Sequence, residues 1–172
     1  MFYTIADDLI LYQVFSFIKK YTNYELKLRE YFFEKTQGIY PEFIVVIRQF
    51  IFFFVKKQDY FSSKVYLDSI RREISNKKII IIRIEKVLIN ILFNFFPDLN
   101  IDTVKVEFDI KSGRKEISVY FLFLNERGIA IGRNGDYIKA VNEIFENYIV
   151  YGDRNSPVRL KCKFKENCKI NF

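Results

Sequence analysis

Between residues 128 and 138 the chain reads Gly-Ile-Ala-Ile-Gly-Arg-Asn-Gly-Asp-Tyr-Ile, and three of its six glycines fall inside that stretch. The chemistry such a pattern offers is capture of phosphate. A glycine without Cβ lets the backbone approach a sugar-phosphate chain closely and take up positive φ. Arg133 adds a delocalised cation between Gly132 and Gly135, and a helix beginning at Asp136 would aim its free N–H groups and positive dipole end at the same place. Ile129, Ile131 and Ile138 can hold the flanking helices on a sheet and line a groove for unstacked bases. Two glycines serving only a tight structural turn are the plainer alternative.

Other cations extend this candidate surface. Arg127 flanks the loop and Lys139 follows it. The stretch Val158 to Phe164 alternates apolar with basic, so Arg159, Lys161, Lys163 and Lys165 share the face opposite Val158, Leu160, Cys162 and Phe164. If all four met phosphates, binding would weaken with salt at a log-log slope of about 0.9 per contact on duplex, less on single strands. A solvated sheet face explains the same pattern without a partner. The more distant Arg71, Arg72, Lys77 and Lys78 contact nucleic acid or only cap helices. Tyr137 could stack on a base or be a surface aromatic.

Composition narrows the function classes. The 172 residues carry 28 Lys plus Arg against 21 Asp plus Glu, with no His, no Trp and two Cys. Without His there is no Ser/His/Asp or Cys/His nucleophile system and no His-ligated metal. No enzyme activity and no cofactor is expected. Residues 1 to 60 hold eight basic and seven acidic side chains, the remainder twenty and fourteen, so nearly all of the +7 lies in the second part. A basic segment behind a near-neutral leader fits a polyanion. Ile, Phe, Lys, Tyr and Asn dominate while Ala, Gly and Pro are scarce, which follows A/T-rich codons and assigns much of the 19% aromatic content to an AT-rich, organellar genome.

No run is apolar enough to span a bilayer: Phe43 to Val55 contains Arg48, and Ile79 to Phe96 contains Arg83, Glu85 and Lys86, where about 20 uninterrupted apolar residues are needed. The N-terminal Asp7 and Asp8 do not suit a mitochondrial presequence, so an organellar protein would be made in place. Cys162 reads as a core residue and Cys168 as a free thiol in the tail, without the spacing of a zinc site.

The elements that must position these residues follow from periodicity. Thr22 to Glu25 is a capping box opening a helix that should stop near Gly38. Phe43 to Val55 is rich in β-branched and aromatic residues and is taken as helix, making residues 1–60 a mainly helical extension. From Ser75, Ile80, Ile84, Val87, Leu88, Ile91, Leu92 and Phe95 keep helical spacing up to Pro97. Val104 to Ile110 and Ile117 to Phe123 alternate around a Lys111-Ser112-Gly113-Arg114 turn, which predicts a hairpin. Helices over Arg127 to Ile131 and Asp136 to Val150 and a strand over Val158 to Phe164 complete an α+β chain without internal repeats. Tyr120, Leu122 and Leu124 make the second hairpin strand apolar on both faces, so the N-terminal sixty residues or a neighbouring protein should cover it.

Ile-Gly-Arg-Asn-Gly-x-x-Ile between two helices resembles the KH domain, whose GxxG loop clamps about four nucleotides of single-stranded backbone. Helix, strand, strand, helix, helix, strand is similar to the type II arrangement of ribosomal protein S three, NusA and Era, here over residues 61–172. No GxxxxGK[ST] loop accompanies it, unlike Era, and NusA-like proteins carry KH modules in tandem whereas the sequence displays one. Asp68 to Ile74 is similar to the stretch leading into the S three KH domain. The resemblance to S three implies rRNA binding in the head of a small ribosomal subunit through Arg127, Ile131, Gly132, Arg133, Asn134, Gly135, Lys139 and the strand cations. It also implies S ten and S fourteen homologues as neighbours, and the A/T-rich composition sets the expected location as the mitochondrial matrix ahead of a plastid. The second domain of S three is missing, which suggests a truncated or split protein with that half on another chain, and its mRNA-entry roles do not carry over. The alternatives are a free-standing KH factor in RNA maturation or transcription, and a membrane-associated scaffold using the apolar N-terminal region.

Overall fold

Where helix and strand could not be separated by pattern, the chain forms strands. The computed structural model describes residues 9–151 and 159–165. After β1 (Phe15–Phe17) comes α1 (Asn23–Lys35), opened by the expected capping box: Glu25 N–H donates to Thr22 Oγ1 at 3.2 Å and Thr22 N–H to Glu25 Oε2 at 3.1 Å. It ends as expected, with Gly38 at φ 121° donating its N–H to Phe33 O. The run expected as a second helix is instead a hairpin, β2 (Phe43–Ile47) and β3 (Phe50–Val55), turned at Arg48-Gln49. The leading region is therefore not mainly helical.

All six residues of β3 are buried. Ile51, Phe53 and Val55 join Ile44, Ile79 and Ile81 against Leu28, Phe32 and Ile70, while Phe50, Phe52 and Phe54 face the other way, into a cluster with Leu88, Ile91, Phe95, Ile144 and Phe145. A strand covered on both faces reads as a continuous apolar run, so period two is erased. β-Branched and aromatic residues suit that place.

Two short helices, α2 (Tyr60–Lys64) and α3 (Leu67–Glu73), lead to β4 (Lys78–Arg83), parallel to β3. Here too the expected helix from Ile80 to Phe95 gives way: its first part is β4 and only α4 (Leu88–Asn94) is helical. The first sheet, ordered β2-β3-β4, takes strands from both sides of residue 60, so topology divides the chain between β4 and α4.

The remaining elements follow the expected order closely. β5 (Ile101–Asp109) and β6 (Arg114–Phe121) form the antiparallel hairpin, then α5 (Leu124–Ile131) and α6 (Asp136–Asn147). β7 (Ile149–Tyr151) pairs with β1, and β8 (Arg159–Phe164) lies parallel to β6 in a sheet ordered β5-β6-β8. Val158 and Cys168 fall outside the described residues.

Set side by side, α1-β2-β3-α2-α3-β4 and α4-β5-β6-α5-α6-β8 have the same element order, and each sheet has an antiparallel pair followed by a parallel one. The chain thus contains a topological repeat, contrary to the expectation of none. Sequence comparison misses it because the outer sheet face of the first unit is apolar, packed on α4 and α6, whereas that of the second is polar. There Glu107 accepts hydrogen bonds from Ser118 Oγ at 2.7 Å, Tyr120 Oη at 2.6 Å and Lys163 Nζ. Burial opposes ionisation of Glu107, but these donors and the lysine charge outweigh it and hold its pKa at about 2. Among the described residues this face is satisfied by its own polar bonds around Tyr120, and Leu122 and Leu124 lie past the strand, exposed.

Candidate nucleic-acid interface

The loop after α5 is built by glycine backbone. Gly132 sits at φ 79°, ψ 172°, a conformation reserved for glycine, Asn134 at φ 55° and Gly135 at φ 74°, both left-handed. Gly132 N–H closes α5 onto Gly128 O at 3.0 Å, and Gly135 N–H turns back to Gly132 O at 3.1 Å. A Cβ on Gly132 would lie 2.8 Å from Tyr137 Cβ and 3.0 Å from its nitrogen, so the first glycine is required by packing as well as by φ. No side chain caps α6 at Gly135, and the Asp136 N–H is taken by Arg133 O within the loop's own turn.

Exposed and cationic side chains cluster around the loop. Arg133 and Asn134 are exposed at the tip, and among the described residues Arg133 pairs with no carboxylate. Lys139 Nζ reaches back to Asn134 O at 3.0 Å, which holds its charge over the loop. Ile131 is half-buried against the core and Ile129 is 62% exposed, giving an apolar shoulder beside the cations.

Arg127 spends its Nε on Cys162 O at 3.2 Å, so it is fastened to β8 as well as flanking the loop. Asn142 of α6 grips the same edge, donating to Leu160 O at 3.1 Å and accepting from Leu160 N–H at 2.7 Å. Together they occupy backbone groups that an unguarded edge strand would offer to another strand. Arg159 opens into a cleft of ≈ 330 Å³ where Arg48, Arg114, Lys115 and Lys139 are interleaved with Glu116, Glu143 and Glu146.

The other strand cations are placed differently. Lys161 lies 3.6 Å from Glu116, Lys165 3.0 Å from Asp102, and Lys163 pairs with Glu107. They face away from the helices, with their charge largely matched across the sheet. Lys139 and Arg159 thus share one cleft, Arg127 is tied to β8, and Lys161, Lys163 and Lys165 are set apart in ion pairs.

Tyr137 is neither a stacking platform nor a surface aromatic. Its ring packs on Phe50, Phe52 and Phe96, its hydroxyl donates to Phe95 O, and burial pushes its pKa up. Burial also pushes the Cys162 thiol to about 12, against the pull of Arg127, which makes it an inert core thiol. Among the described residues no three His, Cys, Asp or Glu side chains could hold a metal ion, and no helix is long and apolar enough to cross a membrane.

Sequence reading missed Arg48, Arg114 and Asn142. Asn142 lies one turn beyond Lys139 on the helix and was within reach of pattern reasoning. Arg48, distant in sequence, was not.

No family model matches the chain, and no curated protein matches it in sequence. A search of solved structures finds the crystal structure of APE1850, 18% identical, with a TM-score of 0.59 over 84% of this chain and 100% of that one. At that identity the likeness concerns the fold alone. Residues 88 to 164 make up less than half of the chain, so coverage of 84% takes in elements of both topological units.

Proposed function

We propose that this chain is a single-stranded RNA-binding protein made of two type II KH-like units, of which the second grips RNA through Gly132 to Gly135. The observation that carries the reading is the loop itself: glycine-only backbone, an uncapped helix start and an exposed Arg133 converge on one point, the arrangement a phosphate chain needs. In the first unit the corresponding junction between α2 and α3 holds Val65 and Tyr66 and has no glycine, so it lacks that means of contact.

The repeat also bears on the role. NusA-like proteins carry KH modules in tandem, and a two-unit chain supports a free-standing factor in transcription or RNA maturation over a constituent of the small ribosomal subunit. Asp68 to Ile74, the stretch similar to S three, is accounted for as α3 of the first unit and its approach to β4. The codon-biased composition supports an organelle-encoded origin, mitochondrial before plastid.

Sedimentation of native extracts tests the role. Release from ribosomal fractions at moderate salt is expected; co-migration with small subunits that survives high salt would return the chain to the ribosomal reading. Direct binding is tested by fluorescence anisotropy with single-stranded RNA, where Arg133→Asp with Asn134→Asp should abolish the signal. Unchanged binding by that variant would refute the loop as contact site.

A further inference from the structure

We infer that the hairpin tip of the first unit is a positioning device for the loop of the second, with Gln49 holding the Asp136 carboxylate away from the N-terminus of α6. The inference rests on the RNA-binding reading and deepens it by naming what keeps that site open to an anion.

Asp136 is the first residue of α6 and follows Gly135 directly. A carboxylate in the first turn of a helix is drawn to the free N–H groups and the positive dipole end. Left alone, Asp136 would supply from within the chain the negative charge that the loop otherwise takes from phosphate. It is not left alone: Gln49 Nε2 donates to Asp136 Oδ2 at 2.7 Å from 87 residues away. An amide does this without adding a charge of its own.

The neighbouring residue treats a second carboxylate on the same helix face. Arg48 Nε donates to Glu143 Oε1 at 2.6 Å, two turns beyond Asp136. Arg48 takes φ 54°, a left-handed backbone that glycine or asparagine adopts more easily, yet neither could reach Glu143. Lys77 Nζ fixes the turn by donating to Arg48 O at 2.7 Å, and Phe50 meets the Tyr137 ring edge-on at 5.5 Å. The tip is thus anchored behind and pressed against the first turn of α6. A unit without its own glycine loop keeps a part in binding by controlling the carboxylates beside its neighbour's.

Anisotropy titrations of the full chain with a fluorescein-labelled random-sequence single-stranded RNA test this. Gln49→Ala should weaken binding roughly two- to fivefold, the effect one charge has at a helix start. Adding Asp136→Asn to that variant should restore wild-type affinity, because the released carboxylate is then gone. If Gln49→Ala binds as wild type, or if Asp136→Asn fails to restore the loss, the inference is overturned; the second outcome would mean the hairpin acts only by supporting the fold. Failure of the wild-type chain to bind would overturn the RNA reading and this inference with it.

Discussion

Replacing Gly132 by Ala isolates the demand the loop places on its first glycine. Two costs add. Backbone at φ 79°, ψ 172° is closed to residues with a Cβ and costs about 1–3 kcal/mol when forced. The new methyl would also lie 2.8 Å from Tyr137 Cβ, and Tyr137 has no room to retreat, being wedged by Phe50, Phe52 and Phe96 and bonded through its hydroxyl to Phe95 O. Overpacking of this kind costs about 1–3 kcal/mol. The two together come to roughly 2–6 kcal/mol, a large share of the stability of a domain. Gly135→Ala is the control: it pays the left-handed penalty of about 1–2 kcal/mol, but its methyl would meet only Lys139 Cε at an ordinary 3.5 Å. Urea denaturation of both variants should separate them by about 1–3 kcal/mol, the cost of the clash with Tyr137. Equal stabilities would refute the reasoning, since they would show that neither the extended glycine geometry nor the Tyr137 wedge is present in the native loop. The same contrast makes Gly132→Asp a poor probe of RNA binding, because it would disturb folding and charge together.

Arg133→Ala should lower the log-log salt slope of RNA binding by about 0.7, one single-strand phosphate contact, with melting unchanged; an unaltered slope would remove Arg133 from the interface. Lys161→Ala should leave affinity for RNA within about twofold, its charge being matched by Glu116, whereas a tenfold loss would bring the outer sheet face back as a binding surface. Tyr137→Phe should cost about 1–2 kcal/mol by orphaning Phe95 O while RNA affinity holds, and a selective loss of affinity would argue for base stacking after all. Glu107, held at about 2 when folded against an ordinary 4.5, contributes stability that is fully present above about pH 4.5 and lost as pH falls toward 2. Glu107→Gln should therefore cost about 1 kcal/mol near neutrality, allowing for solvent screening, and flatten the acid limb of the denaturation profile; parallel profiles for the two proteins would contradict the assigned pairing.

Legibility in the sequence tracked how many faces of an element are buried. The hairpin of β5 and β6 was readable because one face meets the apolar core and the other carries polar side chains, so Val104, Val106, Ile117 and Val119 alternate with polar residues. In β3 both faces are dry and alternation vanishes, and β4 was drawn into a false helical period with α4 for the same reason. The Thr22 capping box and the glycines of the loop were readable because they are local: each depends on bonds reaching only a few residues along the chain.

What the sequence determined by itself is the chemistry of the candidate loop. Gly132, Arg133, Asn134 and Gly135 declare positive φ, close approach and positive charge by residue type alone, and Arg127 and Lys139 sit within a helical turn or two of them. What only the tertiary structure decided is the company that point keeps. The sorting of β8 cations into Arg159 at the cleft and Lys161, Lys163 and Lys165 in ion pairs depends on carboxylates contributed by β5 and β6. The repeat of the first unit, and the reach of Gln49 and Arg48 to Asp136 and Glu143, depend on an apolar sheet face burying itself against α4 and α6. Burial is nondirectional and pairs faces that lie far apart in the chain, so the contacts it brings together leave no local spacing to read.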